Sequence, residues 1–202
     1  MVTLFALAAA ARWPYLLRLP HFTDEVGEVR WALRIWRGEA FPLTAQVQYM
    51  GPYHHYLLAA ALWLFGPQIV LPRLLVLIIG ALTVVLTYLL GRELAGPKVG
   101  QLAALLLATS PQHIVVNSHV AWQNSTTPLY STLSLWALAR ALRLADRGRG
   151  AWGRGGPWLL LSGLGYGIAL GTHLGLAALA PALVGTVAYF LWRHRAWRLL
   201  RR

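Results

Sequence analysis

Long apolar segments that alternate with short clusters of arginine are the feature that most constrains this chain. Of its 202 residues, 57% are hydrophobic and only 12% are charged, whereas soluble domains carry about 25% charged residues. The mean hydropathy is +0.53. This pattern is typical of a polytopic membrane protein, and we predict an all-α helical bundle.

The positive charge follows the membrane pattern and not that of a nucleic-acid-binding protein. The formal net charge is +12, but the arginines lie between apolar segments, where lipid head groups and the positive-inside rule explain them. We therefore expect membrane lipids as partners and no nucleic acid. The chain has no cysteine, which excludes a disulfide framework, a thiolate metal site and a cysteine nucleophile.

About six membrane spans are predicted from apolar segments of sufficient length, since a spanning helix needs roughly 17 to 25 residues. They cover residues 1–17, 69–91, 99–116, 127–144, 158–172 and 174–192. Residues 51–66 are helical in pattern but short for a span. If they do not cross, twelve basic residues face the cytoplasm against six arginines outside, as the positive-inside rule prefers. We therefore predict that residues 18–70 form a first extracytoplasmic loop with juxtamembrane helices.

Residues 19–38 in this loop hold three of the six carboxylates of the chain. Asp24 and Glu25 are adjacent. A carboxylate near lipid has an unfavourable free energy, so such a residue usually has a function. Thr23 could cap a helix that carries both acids in its first turn, against the positive end of the helix dipole. Two interpretations stay open here, a helix start and a reaction centre, and they do not exclude each other.

The same segment predicts an amphipathic interfacial helix over residues 23–38, ended by Gly38 and Pro42. Its apolar positions recur at helical spacing, and three arginines form an adjoining stripe suited to an anionic head group or a lipid phosphate. The apolar positions are Val26, Val29, Leu33 and Trp36, and the arginines are Arg30, Arg34 and Arg37.

The predicted topology gathers polar groups at the outer membrane face. They comprise four acids, a polar loop at residues 117–127 and six of the seven histidines: His21, His54, His55, His113, His119 and His173. Any one of these histidines alone is more typical of a buried or interfacial residue than of a ligand. Together they favour a site that faces the periplasm or the exterior. Arg12 is expected at the outer end of the first span, reaching toward head groups.

Several short motifs are spread over residues 12–145, and their order and spacing match those of one protein family. They are Asp24-Glu25 after the first span, Gly51-Pro52 opening a helix that ends in Leu64-Phe65-Gly66, Leu71-Pro72-Arg73-Leu74, Leu82-Thr83-Val84, residues 88–94, residues 102–108, and Ser110-Pro111 with His113-Ile114. With these motifs the chain resembles the N-terminal membrane region of GT-C glycosyltransferases of the protein-mannosyltransferase and aminoarabinose-transferase type. The resemblance also implies that the chain is the N-terminal part of a longer enzyme.

The resemblance implies roles for particular residues. Asp24, with Glu25 beside it, would be catalytic: it would take a proton from an acceptor hydroxyl or amine, or bind the acceptor or a divalent cation such as Mg²⁺ or Mn²⁺. Arg73 would hold a lipid phosphate through its planar guanidinium. His54 and His55 stand where such enzymes often carry a lysine for that phosphate.

Further substrate contacts are expected from Arg30 in the basic stripe and from His119, Gln123 and Asn124 in the second outer loop. In the family an acid is common at the place where this loop reads Trp122-Gln123-Asn124. The predicted function is transfer of a sugar from a polyprenyl-phosphate donor to a lipid, glycan or protein acceptor, with inversion, on the outer face of a bacterial or archaeal plasma membrane. The alternative is a non-catalytic subunit that binds lipid-linked sugars or acts as a scaffold. A transporter is disfavoured because it usually needs ionisable residues near mid-bilayer.

Overall fold

The computed structural model describes residues 1–16, 18, 23–44, 50–146 and 151–193. Within these ranges the chain is all-α and has no strand, which confirms the predicted class. The helices are α1 (Val2–Arg12), α2 (Thr23–Trp36), α3 (Tyr53–Phe65), α4 (Leu71–Ala95), α5 (Pro97–Thr109), α6 (Pro111–His119), α7 (Thr127–Asp146), α8 (Ala151–Thr172) and α9 (Ala180–Arg193). His21 and the basic tail at residues 194–202 lie outside the described residues.

The two helices predicted in the first outer loop are confirmed, and they pack on each other. Gly38 and Gly66 follow α2 and α3 with φ of 73° and 76°, a backbone conformation that glycine adopts without strain. Ala32 of α2 packs against Leu58 and Leu62 of α3, and all three side chains are buried. This apolar contact determines which face of α2 is buried, and it therefore also determines the direction in which the arginines of α2 point.

Helix α4 is the central element of the described fold, because α1, α5, α6 and α7 all pack against it. Its 25 residues measure about 37 Å at 1.5 Å per residue, enough to cross a hydrocarbon core. Ala81 and Val84 form a buried cluster with Ala8 of α1 and Ala104 of α5. The small side chains allow these helices to approach closely, as is common in membrane proteins.

The predicted number of spans is not confirmed and stays a prediction. Among the described residues, α4 alone is both long and apolar enough to cross a membrane, and α5 with α6 would make a second span if they count as one. Helix α1 and the apolar segment Leu174–Phe190 are shorter than a span requires. Helix α7 has 20 residues, but Arg140, Arg143 and several hydroxyl side chains lower its hydropathy.

A continuous helix over residues 99–116 is not what the structure contains. Helices α5 and α6 meet at an angle of 69°. Ser110, between them, has an extended backbone (φ −64°, ψ 118°), and its side chain accepts a hydrogen bond from the N–H of His113. Since a residue that precedes proline is sterically driven out of the α region, Ser110 before Pro111 is the physical cause of the break.

Helices α7 and α8 form an extensive pair, and their ends bring together the loops that are predicted to lie on the outer side. Thr127 and Thr172 share a buried hydrogen bond of 2.8 Å between their hydroxyls. The carbonyl of Gly171, at the end of α8, accepts hydrogen bonds from the N–H of Gly51 (2.8 Å) and from Nε2 of Gln123 (2.7 Å). The start of α3, the loop before α7 and the end of α8 therefore meet at one place.

Candidate active site

A groove of about 520 Å³ lies between α2, the end of α3 and the start of α4. Its walls are mostly apolar, and its charged groups are one carboxylate and four guanidinium groups. The lining residues are Glu25, Val26, Val29, Arg30, Leu33, Arg34, Arg37, Leu62, Pro67, Gln68, Ile69, Pro72 and Arg73. An apolar groove with a cluster of cations suits an amphiphile that carries a phosphate.

Arg30 and Arg34 lie on one face of α2, and Arg37, directly after its end, continues that face, because residues three and four apart are neighbours on a helix. Arg30, Arg34 and Arg37 are exposed. The guanidinium of Arg34 lies over the ring of Trp31, 4.8 Å from its centroid, and Arg37 Nη1 lies 3.8 Å from Glu39 Oε1. The predicted basic stripe therefore lines a groove, which the sequence pattern alone did not indicate.

The fourth arginine, Arg73, forms a buried ion pair with Glu25. Arg73 Nη2 lies 3.3 Å from Glu25 Oε1 and 3.2 Å from Glu25 Oε2, and Nη1 donates to the carbonyl of Leu16 at 3.3 Å. Only 2% of the Arg73 side chain and 5% of the Glu25 side chain are exposed. The pair joins α2 to α4 and gives Arg73 a carboxylate partner inside the chain.

Asp24 lies in the first turn of α2 with Glu25, and its side chain is exposed. Of the described residues that line the groove, Glu25 is the only acid. The two adjacent acids therefore differ in environment, one held in a buried ion pair and the other open to solvent. Asp24 does not line the groove itself; it directly precedes Glu25, which does, and its carboxylate is open to an acceptor group that arrives from the aqueous side.

His54 and His55 are both fully buried at the start of α3, behind α2. Nε2 of His55 lies 2.7 Å from Oε2 of Glu28, while neither ring nitrogen of His54 has a hydrogen-bond partner among the described residues. Burial lowers the pKa of His54 from 6.5 to about 4, so this ring is neutral at pH 7. Neither histidine lines the groove.

Glu28 is one of the four acids predicted to lie at the outer face, and no role was predicted for it. It follows Glu25 by one helical turn, which places both acids on the same face. Burial would raise the pKa of the Glu28 carboxyl, but His55 and His54 together hold that pKa below its usual range. Glu28 Oε1 also accepts the N–H of Gln123 at 3.3 Å.

The loop between α6 and α7, which is the predicted second outer loop, brings Gln123 close to α2, but it does not bring His119 there. His119 is buried, with Nε2 2.7 Å from the carbonyl of Arg12 and Nδ1 against the carbonyl of Ile114. Gln123 is buried between Glu28 and Gly171. Asn124 is partly exposed, and its Oδ1 atom is buried without a hydrogen-bond partner among the described residues.

The expectation that Arg12 reaches toward head groups is wrong. Its side chain is fully buried, with Nε donating to Ser118 Oγ at 2.9 Å and Nη1 to the carbonyl of Ala8 at 2.7 Å. Nη2 lies 2.9 Å from His113 Nδ1. Arg12 turns inward because α6 offers it two polar partners that replace water.

The divalent cation that the resemblance implies stays a prediction. Within residues 1–16, 18, 23–44, 50–146 and 151–193, no three histidine, aspartate or glutamate side chains converge on one point. Mg²⁺ is usually held by one or two carboxylates together with water and substrate phosphates, and two of the described acids, Glu25 and Glu28, are each engaged with a neighbouring side chain.

The profile of the family described as Dolichyl-phosphate-mannose-protein mannosyltransferase matches residues 50–202, about three quarters of the chain. The chain belongs to this family. The resemblance to GT-C enzymes of the protein-mannosyltransferase type is thereby confirmed, and the family is one of membrane-associated glycosyltransferases. No curated protein and no solved structure matches the chain significantly.

The matched range divides the candidate site residues into two groups. Those within it are Arg73, His54, His55, His119, Gln123 and Asn124. Asp24, Glu25 and Arg30 precede it, so their roles rest on the geometry of α2 and on the motifs of the sequence.

Proposed function

We propose that this mannosyltransferase-family chain transfers a sugar from a polyprenyl-phosphate donor to a lipid, glycan or protein acceptor at the outer face of the membrane. The observation that carries the proposal is the apolar groove, which holds Arg30, Arg34, Arg37 and Arg73 and is lined by Glu25, the direct sequence neighbour of the exposed Asp24. The isoprenoid would lie on the apolar walls, and its phosphate would meet the guanidinium groups.

The proposed reaction is a single displacement with inversion at the anomeric carbon. Asp24 accepts the proton of the acceptor hydroxyl or amine as that group bonds to the sugar. The bond between the sugar and the phosphate oxygen breaks, and the polyprenyl phosphate leaves as an anion next to the arginines. Preorganised cations at a place where negative charge develops are an effective means of lowering a barrier. Glu25 is assigned a supporting role, because it holds Arg73 in orientation.

A transfer assay tests the proposal. Membranes that contain the full chain, supplied with a radiolabelled polyprenyl-phosphate sugar and a mixture of lipid, glycan and peptide acceptors, are expected to give a labelled product. Membranes from cells that lack the chain are the control. Donor binding without turnover would instead support the non-catalytic alternative, a subunit that holds lipid-linked sugars.

The arginine face of α2 yields a prediction about the donor. Arg30→Ala and Arg34→Ala each remove one exposed cation from the groove, and a hydrogen bond to a charged group contributes about 1.5 to 3 kcal/mol. At these exposed positions we expect the low end, which raises the KM for the lipid donor about tenfold. Steady-state kinetics measure this effect. Lys98→Ala removes an exposed cation in the first turn of α5, beyond the far end of α4, and should leave the KM unchanged; an equal rise of the KM in this control and in the groove variants would contradict the assignment.

The outward orientation of the site is a proposal that topology mapping tests. With residues 51–66 on the outer side of a bacterial or archaeal plasma membrane, reporters fused after Gly38 and Asn124 are expected outside, and reporters after Gly96 and Gly153 in the cytoplasm. The charge distribution supports this layout. A reporter at position 96 or 153 that maps outside would contradict it.

A further inference from the structure

Two carboxylates of α2 hold the backbone of the second outer loop. Glu25 Oε1 accepts the N–H of Ala121 at 3.1 Å, and Glu28 Oε1 accepts the N–H of Gln123 at 3.3 Å. The N–H between them, that of Trp122, donates to the carbonyl of Val120 at 2.9 Å. All three backbone donors of residues 121–123 therefore have partners, two of them on α2. Buried backbone donors need such partners.

Each of these carboxylates also contacts a side chain of another helix. Glu25 pairs with Arg73 at the start of α4, and Glu28 Oε2 lies 2.7 Å from Nε2 of His55 at the start of α3. The loop is held from its other side as well, because Gln123 Nε2 donates to the carbonyl of Gly171. Glu28 is thus the point where α2, α3 and the second outer loop meet.

Glu25 and Glu28 hold different groups in place. Glu25 faces the groove and keeps the guanidinium of Arg73 in place. Glu28 does not line the groove, and its partners are the main chain of Gln123 and the ring of His55. Glu28 would therefore affect a bound substrate only indirectly, because it sets the position of the loop that carries Gln123 and Asn124.

We propose that Glu28 is a positioning residue that holds the second outer loop against α2. This contact keeps Gln123 and Asn124 near Glu25, at the end of the groove where the acceptor arrives. This role in transfer rests on the proposed function. The contact itself does not, and it can be measured in the absence of any substrate.

Hydrogen exchange of individual backbone amides in the detergent-solubilised full chain tests the contact. Glu28→Ala removes the acceptor for the Gln123 N–H, so exchange at Gln123 should accelerate at least about tenfold, while the Ala121 amide keeps its protection by Glu25. Glu28→Gln retains an acceptor oxygen and should give a smaller change, which keeps the test usable if the alanine variant folds poorly. Glu39→Gln removes an exposed carboxylate and should change neither amide. Unchanged exchange at Gln123 in both Glu28 variants would overturn the proposal.

Kinetics test the consequence for transfer. Glu28→Ala should raise the KM for the acceptor about tenfold and leave the KM for the lipid donor within about twofold, because the groove arginines are untouched. A purely structural role would lower the amount of folded enzyme and leave both KM values unchanged, which would overturn the positioning role. If the wild-type chain transfers no sugar, the proposed function fails, and the exchange experiment still decides whether Glu28 holds the loop.

Discussion

Asp24→Asn is expected to slow sugar transfer by about two to four orders of magnitude, the usual contribution of a general base. Asparagine has the same shape as aspartate but cannot accept the proton of the acceptor. Asp24 is exposed in the first turn of α2, so the loss of its charge should cost only about 0.3 to 1 kcal/mol through the helix dipole. The variant should therefore fold, and initial rates of transfer at saturating donor measure the effect.

Glu39→Gln provides the matched control for this prediction. It also removes one carboxylate from the outer region, and it lies just beyond the end of α2 with its side chain 49% exposed. Transfer by this variant should remain within about twofold of wild type. If Asp24→Asn transfers sugar as fast as the control, Asp24 is not the base, whatever the family of the chain.

The helices around the site could be predicted from sequence because their signals are local. Periodic apolar positions give α2, Gly51-Pro52 precedes α3, and Gly66 ends it. The break between α5 and α6 was also readable in principle, since Ser110-Pro111 combines an N-cap residue with a proline. Residues 99–116 are apolar and long enough for one span, and for that reason a single helix was predicted there.

The partners within the site could not be predicted, because they lie far apart in the chain. Glu25 and Arg73 are separated by 48 positions, and Glu28 reaches the N–H of Gln123 over 95 positions. Charge alone suggested that Arg12 would point toward lipid head groups, but α6 supplies it with Ser118 and His113. Such pairings depend on how helices pack, and a single sequence holds no direct record of them.

Removal of either partner of the buried Glu25–Arg73 pair is expected to be the most destabilising change at the site. Arg73→Leu leaves the carboxylate of Glu25 buried without its cation, and breaking a buried ion pair in this way costs about 3 to 5 kcal/mol. Glu25→Leu should cost a similar amount, since it also takes the acceptor from the N–H of Ala121. Reversible unfolding in mixed detergent micelles measures both free energies.

The double variant separates the contribution of the ion pair to the free energy of unfolding from the contribution of the packing around it. Glu25→Gln with Arg73→Leu removes both charges and keeps an oxygen for the Ala121 N–H, so it should be more stable than Arg73→Leu alone by at least about 2 kcal/mol. The exposed pair of Arg37 and Glu39, with 57% and 49% of the side chains accessible, is the control and should couple by less than about 1 kcal/mol. If the effects of Glu25→Gln and Arg73→Leu, each measured as a single variant, simply add in the double variant, the two side chains do not depend on each other, and the argument that Glu25 orients Arg73 toward a lipid phosphate would fail.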